Sequence, residues 1–73
     1  MKEEFLKELG NRIFQKREKK KMSRTELARL TNKEYRSILR LEKGEINCSL
    51  FYLCEIADGL GIAVDDLVKK LPS

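Results

Sequence analysis

The chain has 73 residues, 41% hydrophobic and 38% charged, with a net charge of +4, two cysteines and no histidine. At this length folding buries only about 60% of the unfolded surface, so one small core in one domain is all the chain supports. No apolar run approaches the roughly 20 residues of a membrane span, and "MKEEFLKELG" mixes acids with bases, unlike a secretory signal.

A cytoplasmic protein is therefore expected, and self-association would reinforce its marginal core. The charge is unevenly spread. Residues 1–43 hold 14 Lys/Arg against 7 Asp/Glu, whereas residues 44–73 hold 2 against 5. A basic front half joined to an acidic back half suits one face that meets a polyanion.

Helical periodicity alternates with short polar breaks, and no strand-like alternation interrupts it. The first helix is predicted over residues 3–20, with Leu6, Leu9 and Ile13 inward and Phe5 on the flank. "SRTE" opens the second: Ser23 caps and Glu26 reaches back in a capping box. That helix buries Leu27 and Leu30 and stops at Thr31-Asn32, where asparagine tolerates the left-handed conformation of a tight turn. The third helix spans residues 34–43 and ends at Gly44. Ser49 caps a fourth, whose stripe is Leu50, Leu53, Ile56, Ala57 and Leu60 before Gly61. A short fifth helix, residues 64–71, carries Val64, Leu67, Val68 and Leu71 before Pro72. One all-α domain of five helices over residues 1–73, with helices two and three forming a helix-turn-helix, is the reading.

Cys48 and Cys54 match no metal or redox motif. Six residues of helix would hold them about 9 Å apart, beyond disulfide reach. "NCS" at Asn47–Ser49 matches a glycosylation acceptor, but nothing else indicates secretion. No metal or cofactor is expected. The chain also offers no carboxylate pair in a credible pocket and no nucleotide-binding glycine loop, so an enzyme is not expected.

The stretch "TELARLTNKEYRSILRLEKG" concentrates the chemistry. A helix-turn-helix needs a small residue where its helices cross, and Ala28, four residues before Asn32, supplies it. At about 100° per residue, Ile38 and Leu41 point inward while Tyr35, Arg36, Leu39, Arg40 and Lys43 share the opposite arc. That arc suits a major-groove reader: arginine grips guanine bidentately and leucine meets a thymine methyl. Tyr35 and Arg36 sit in the first turn, best placed for base edges. Glu34 either accepts from a cytosine amino group or repels phosphate and sharpens register. The plainer alternative is that all of these are ordinary exposed side chains. On helix one, Arg17 falls within about 40° of Ile13, and on helix three Glu42 falls equally close to Ile38. Opposite charges on two inward faces predict a partly buried ion pair that fixes orientation more than it adds stability.

These residues resemble the phage-repressor, Cro-like helix-turn-helix family, also called XRE. The resemblance rests on "S-x-x-E-L-A", on "I-x-R-L-E-K-G" closing the third helix, and on "S-L-x-x-L" followed by "I-A-x-x-L-G-I", and it covers nearly the whole chain. It implies a five-helix repressor-like bundle and sequence-specific binding of double-stranded DNA as a homodimer on a palindrome. It places a phosphate contact at Arg24, base contacts at Glu34, Tyr35, Arg36, Leu39 and Arg40, and further backbone contacts at Lys43, Asn47, Ser49 and Tyr52. It also matches the inward pair Arg17 and Glu42. Members commonly have glutamine where Arg24 stands, glycine at Asn32, an aliphatic at Lys33, and serine or threonine at Glu34. Target preference therefore does not carry over.

The last helix is the expected dimer surface, through Val64, Leu67, Val68 and Leu71, with Phe51 added to it. Peripheral core packing is the competing role for Phe51 and Phe14. The rival function is a protein-interaction module, such as an antitoxin that binds a partner protein through Phe51, Tyr52, Leu67 and Val68.

Overall fold

Where each helix stops decides how the next one starts, and in this chain one device recurs at the stops. The computed structural model describes residues 2–72. It forms α1 (Lys2–Lys19), α2 (Arg24–Thr31), α3 (Tyr35–Glu42), α4 (Leu50–Leu60) and α5 (Asp65–Val68). No strand occurs among the described residues. After each of the first four helices one residue turns left-handed: Lys21 (φ 56°), Asn32 (57°), Gly44 (76°) and Gly61 (70°). Each turn closes with the same two backbone bonds. At Asn32 its own N–H reaches Arg29 O at 3.3 Å and the N–H of Lys33 reaches Ala28 O at 2.9 Å. Met22 to Arg17, Glu45 to Arg40 and Ile62 to Ala57 repeat the longer bond at 3.0–3.1 Å. This paired closure satisfies end carbonyls that otherwise lack partners. Asparagine and glycine announce it in sequence; Lys21 does not.

The starts follow the capping chemistry in half. Ser23 Oγ accepts from the N–H of Glu26 at 3.0 Å and Ser49 Oγ from that of Tyr52 at 3.1 Å. The expected return bond from the Glu26 carboxylate is not among the side-chain bonds of the described residues, so Ser23 acts alone. The fifth helix ends three residues earlier than its periodicity suggests, because Lys69 is extended (ψ 138°) and Lys70 turns to φ 61°. Pro72 disfavours helical backbone at Leu71, and Leu71 packs against the core from an irregular segment.

The core joins Leu9 and Ile13 of α1, Leu27 and Ala28 of α2, Ile38 and Leu41 of α3, Leu53, Ile56, Ala57 and Leu60 of α4, and Leu67 of α5. Helix α3 is held by α1 on one side and α2 on the other, while α4 backs α2 and α5 lies on α1. Three apolar assignments change. Leu30 and Leu50, expected inside, are 48% and 69% exposed. Leu30 lies one step round from Leu27, beyond the cover of α4, and Leu50 opens its helix before the helix reaches the bundle. Leu67, expected on a dimer surface, is fully enclosed and belongs to the core. The α5 segment is fastened by this sealed leucine together with Val64, Val68 and Leu71 packed against the core, and Arg12 of α1 donates to the Lys69 carbonyl.

Gly10 lets α1 and α3 touch backbone to side. A Cβ there would lie 2.5 Å from the carbonyl oxygens of both Leu41 and Glu42. Those atoms are backbone and cannot swing away. We expect Gly10→Ala to lower unfolding free energy by about 1–3 kcal/mol, the usual range for overpacking, as read by urea denaturation.

Candidate nucleic-acid interface

The orientation of α3 depends on a buried carboxylate at its last residue. The Glu42 side chain is 3% exposed and that of Arg17 4%. Arg17 Nε donates to Glu42 Oε2 at 2.7 Å and Nη2 donates to Oε1 at 3.1 Å, a bidentate fork. Arg17 Nη1 donates to Met22 O at 2.8 Å, tying the α1–α2 turn to the same guanidinium. Phe14 supports it from the side, its ring centroid 5.3 Å from the guanidinium carbon. The pair read from two helical wheels thus sits in one bidentate contact. A second arginine joins it: Arg24 Nε donates to Glu42 Oε1 at 2.9 Å. Glu42 raises the Arg24 pKa further, chiefly through that bond, and the Tyr35 phenol beside it adds to the effect.

With Ile38, Leu41 and Glu42 turned inward, the other face of α3 is free. Tyr35, Arg36 and Arg40 are exposed and Leu39 is half-buried between them. Glu34 is the N-cap residue but makes no side-chain capping bond, so its carboxylate stands at the exposed start of the helix. Arg40 Nε approaches Glu45 Oε1 at 3.6 Å, both side chains about half exposed. Such a surface pair is worth little and leaves Arg40 free to swing. Lys43 and Asn47 are exposed, and Ser49 keeps its hydroxyl proton while accepting the α4 capping bond.

Tyr52 differs from its expected phosphate-facing position. Its hydroxyl is enclosed without a hydrogen-bond partner; Ser37 stands near enough to favour ionisation slightly, but outside bonding geometry. The ring is pinned by Lys33, whose Nζ sits 4.1 Å from the ring centroid and 2.8 Å from Glu55 Oε1. Lysine at the turn position where family members carry an aliphatic residue thus lays its stem inside and ends on a partner in α4. Nothing in the residue types announced the Lys33–Glu55 or Arg24–Glu42 contacts: each spans at least 18 positions, the first joining a turn to α4 and the second α2 to α3. Both cysteines are free, Cys54 exposed and Cys48 half-buried.

A helix-turn-helix family model matches residues 13–67, from the middle of α1 through α5. Among solved structures, the restriction-modification controller protein C.AhdI from Aeromonas hydrophila is 29% identical, with a TM-score of 0.82 over 85% of this chain and 94% of that one. The clp gene regulator ClgR from C. glutamicum is 25% identical, with a TM-score of 0.83 over 86% of this chain and 82% of that one. The competence regulator ComR from Streptococcus vestibularis is 35% identical over 93% of this chain but only 23% of its own, with a TM-score of 0.82. No curated protein sequence matches significantly. Fold and matches together define a DNA-binding transcriptional regulator. The chain belongs to the XRE-type helix-turn-helix family. No helix among the described residues is long and apolar enough to cross a membrane.

Two outcomes test this arrangement. Arg17→Ala strands Glu42 with only the half-exposed Arg24 and should cost about 3–5 kcal/mol in thermal or urea unfolding, whereas Arg24→Ala leaves the fork intact and should cost roughly 1 kcal/mol or less. The second concerns pH. Burial raises the Tyr52 pKa and, likewise, that of the Cys48 thiol. The unfolded chain then releases these protons first, so folding stability is full below the ordinary values and falls as pH climbs through the raised ones. Tyr52→Phe keeps the ring for Lys33 and removes the unpaired hydroxyl. Its stability should equal or exceed that of the parent near neutrality and fall less steeply from about pH 9 to 11 in a urea series.

Proposed function

We propose that this chain regulates transcription by binding a palindromic duplex as a homodimer, each copy laying α3 in the major groove of one half-site. The observation that carries the reading is the division of α3: one side locked by Ile38, Leu41 and Glu42, the other offering Arg36 and Arg40 to solvent around half-buried Leu39, with exposed Tyr35 at the boundary on the Glu42 side. Arg36 and Arg40 are assigned to guanine edges, Leu39 to thymine methyls, and Tyr35 and Glu34 to the first-turn bases. Arg24, Lys43, Asn47 and Ser49 border this face and are assigned to phosphates, which position the helix without reading sequence. The mechanism is passive. Lysine and arginine displace counterions for general affinity, and α3 supplies discrimination.

For the dimer, what is left of the expected surface once Leu67 is enclosed is Phe51, 72% exposed, with half-buried Val64, Val68 and Leu71. Two copies joined there would address half-sites about one DNA turn apart. A DNA target agrees with the cytoplasmic location expected from the sequence, and restriction–modification control is the regulatory setting that the similarity to C.AhdI supports.

Selection from a random duplex library at raised salt is the direct test, because nonspecific binding fades with salt while a cognate site persists. Arg36→Ala should cost about 1–3 kcal/mol on the selected site and relax one position of it, with random-duplex affinity little changed. Equal binding of the parent to every duplex would refute the reading. Phe51→Ser should weaken the dimer in sedimentation and lower affinity for the double site while sparing a single half-site.

A further inference from the structure

The stop of α1 differs in residue type from the other three. A left-handed backbone is strained unless the residue is glycine or, to a lesser degree, asparagine. Asn32, Gly44 and Gly61 meet that condition after α2, α3 and α4; after α1 the chain places Lys21 there, at φ 56°. Its backbone is held on both sides. The Lys21 N–H reaches Glu18 O at 2.9 Å, the N–H of Met22 reaches Arg17 O at 3.1 Å, and Met22 O accepts from the Arg17 guanidinium at 2.8 Å. The guanidinium that fixes α3 therefore also fixes the root of the Lys21 side chain.

Lys21 is exposed and lines one open cleft with Phe14, Arg24 and Tyr35, the first residue of α3. Glu18, the carboxylate in that lining, lies 3.3 Å from Arg17, and the buried Glu42 holds both Arg17 and Arg24. Among the described residues Lys21 enters no ion pair. Its charge stands unanswered beside the start of α3. Lys70 also turns left-handed (φ 61°), but in the segment after α5 and outside this cleft. Strain at Lys21 gains meaning from the cleft that the residue borders.

We propose that Lys21 is a further DNA-binding residue, which takes one backbone phosphate at the edge of the half-site and for which the α1 stop forgoes stability. This rests on α3 reading DNA. An ammonium with a fixed root that meets a phosphate displaces one more counterion, adding affinity that is independent of sequence. Glycine would suit the turn better and bind nothing.

The test measures urea unfolding, and binding to a random-sequence duplex across a salt series, for the parent, Lys21→Gly, Lys21→Gln and Lys19→Gln. Lys19 ends α1 in the same basic run, is exposed, and does not line the cleft. Both Lys21 variants should flatten the salt slope by about 0.9 and bind roughly eightfold more weakly at about 0.1 M salt, the worth of one phosphate contact at that slope. Lys21→Gly should also raise the urea midpoint, because relief of strain outweighs the extra entropy of a glycine in the unfolded chain. Lys21→Gln keeps the strain and should unfold near the parent. Lys19→Gln should change the slope by less than half as much. An unchanged slope in Lys21→Gln, equal losses in Lys21→Gln and Lys19→Gln, or a lowered midpoint in Lys21→Gly would overturn the proposal while leaving the reading function standing. A parent that binds no duplex would overturn both.

Discussion

Glu42 is the residue on which the arrangement turns. It is the last residue of α3, nearly inaccessible to water, and its carboxylate accepts from Arg17 of α1 and Arg24 of α2. Burying a charge this fully is unfavourable unless strong partners replace its water, and two guanidiniums do so. Net stabilisation from such a cluster is modest, since desolvation offsets most of the attraction. Its consequence is geometric. Only one rotation of α3 satisfies Glu42, and that rotation sends Tyr35, Arg36 and Arg40 outward. The close approach at Gly10 serves the same end, letting the α3 carbonyls of Leu41 and Glu42 press against α1.

The turn between α2 and α3 adds a second constraint. Ala28 is small enough to admit α3, and Asn32 reverses the chain in a left-handed conformation that asparagine accepts. Lys33 then fastens the turn to α4 through Glu55 and the Tyr52 ring. An aliphatic residue would achieve this by burial alone; lysine uses its stem for cover and its ammonium for an ion pair with α4. Helix α3 is thereby gripped from α1, α2 and, through its preceding turn, α4. A rigid probe loses little conformational entropy when it meets DNA.

Much of this was legible in the chain. Serine at two helix starts and asparagine or glycine at three stops have local chemical reasons, so five helices and their order follow from residue types. The Arg17–Glu42 contact followed from two helical wheels, because a charge on an apolar face needs a partner. What stayed hidden depended on which neighbour covers a given face. Leu30, Leu50 and Leu67 carry the same side chain in similar periodic settings, yet two are exposed and one is sealed. Periodicity tells which side of a helix is apolar, not whether another helix lies over each turn of it. Arg24 reads as a phosphate anchor from its position, and its hold on Glu42 emerges only when α2 and α3 are folded together.

The central claim is that the outward face of α3 enters the major groove. Methylation interference on the selected duplex tests it most directly, because guanine N7 lies in the major groove and adenine N3 in the minor. Methylated N7 positions should block binding in two clusters about one helical turn apart. Interference confined to adenine N3, or none at any base, would contradict the account.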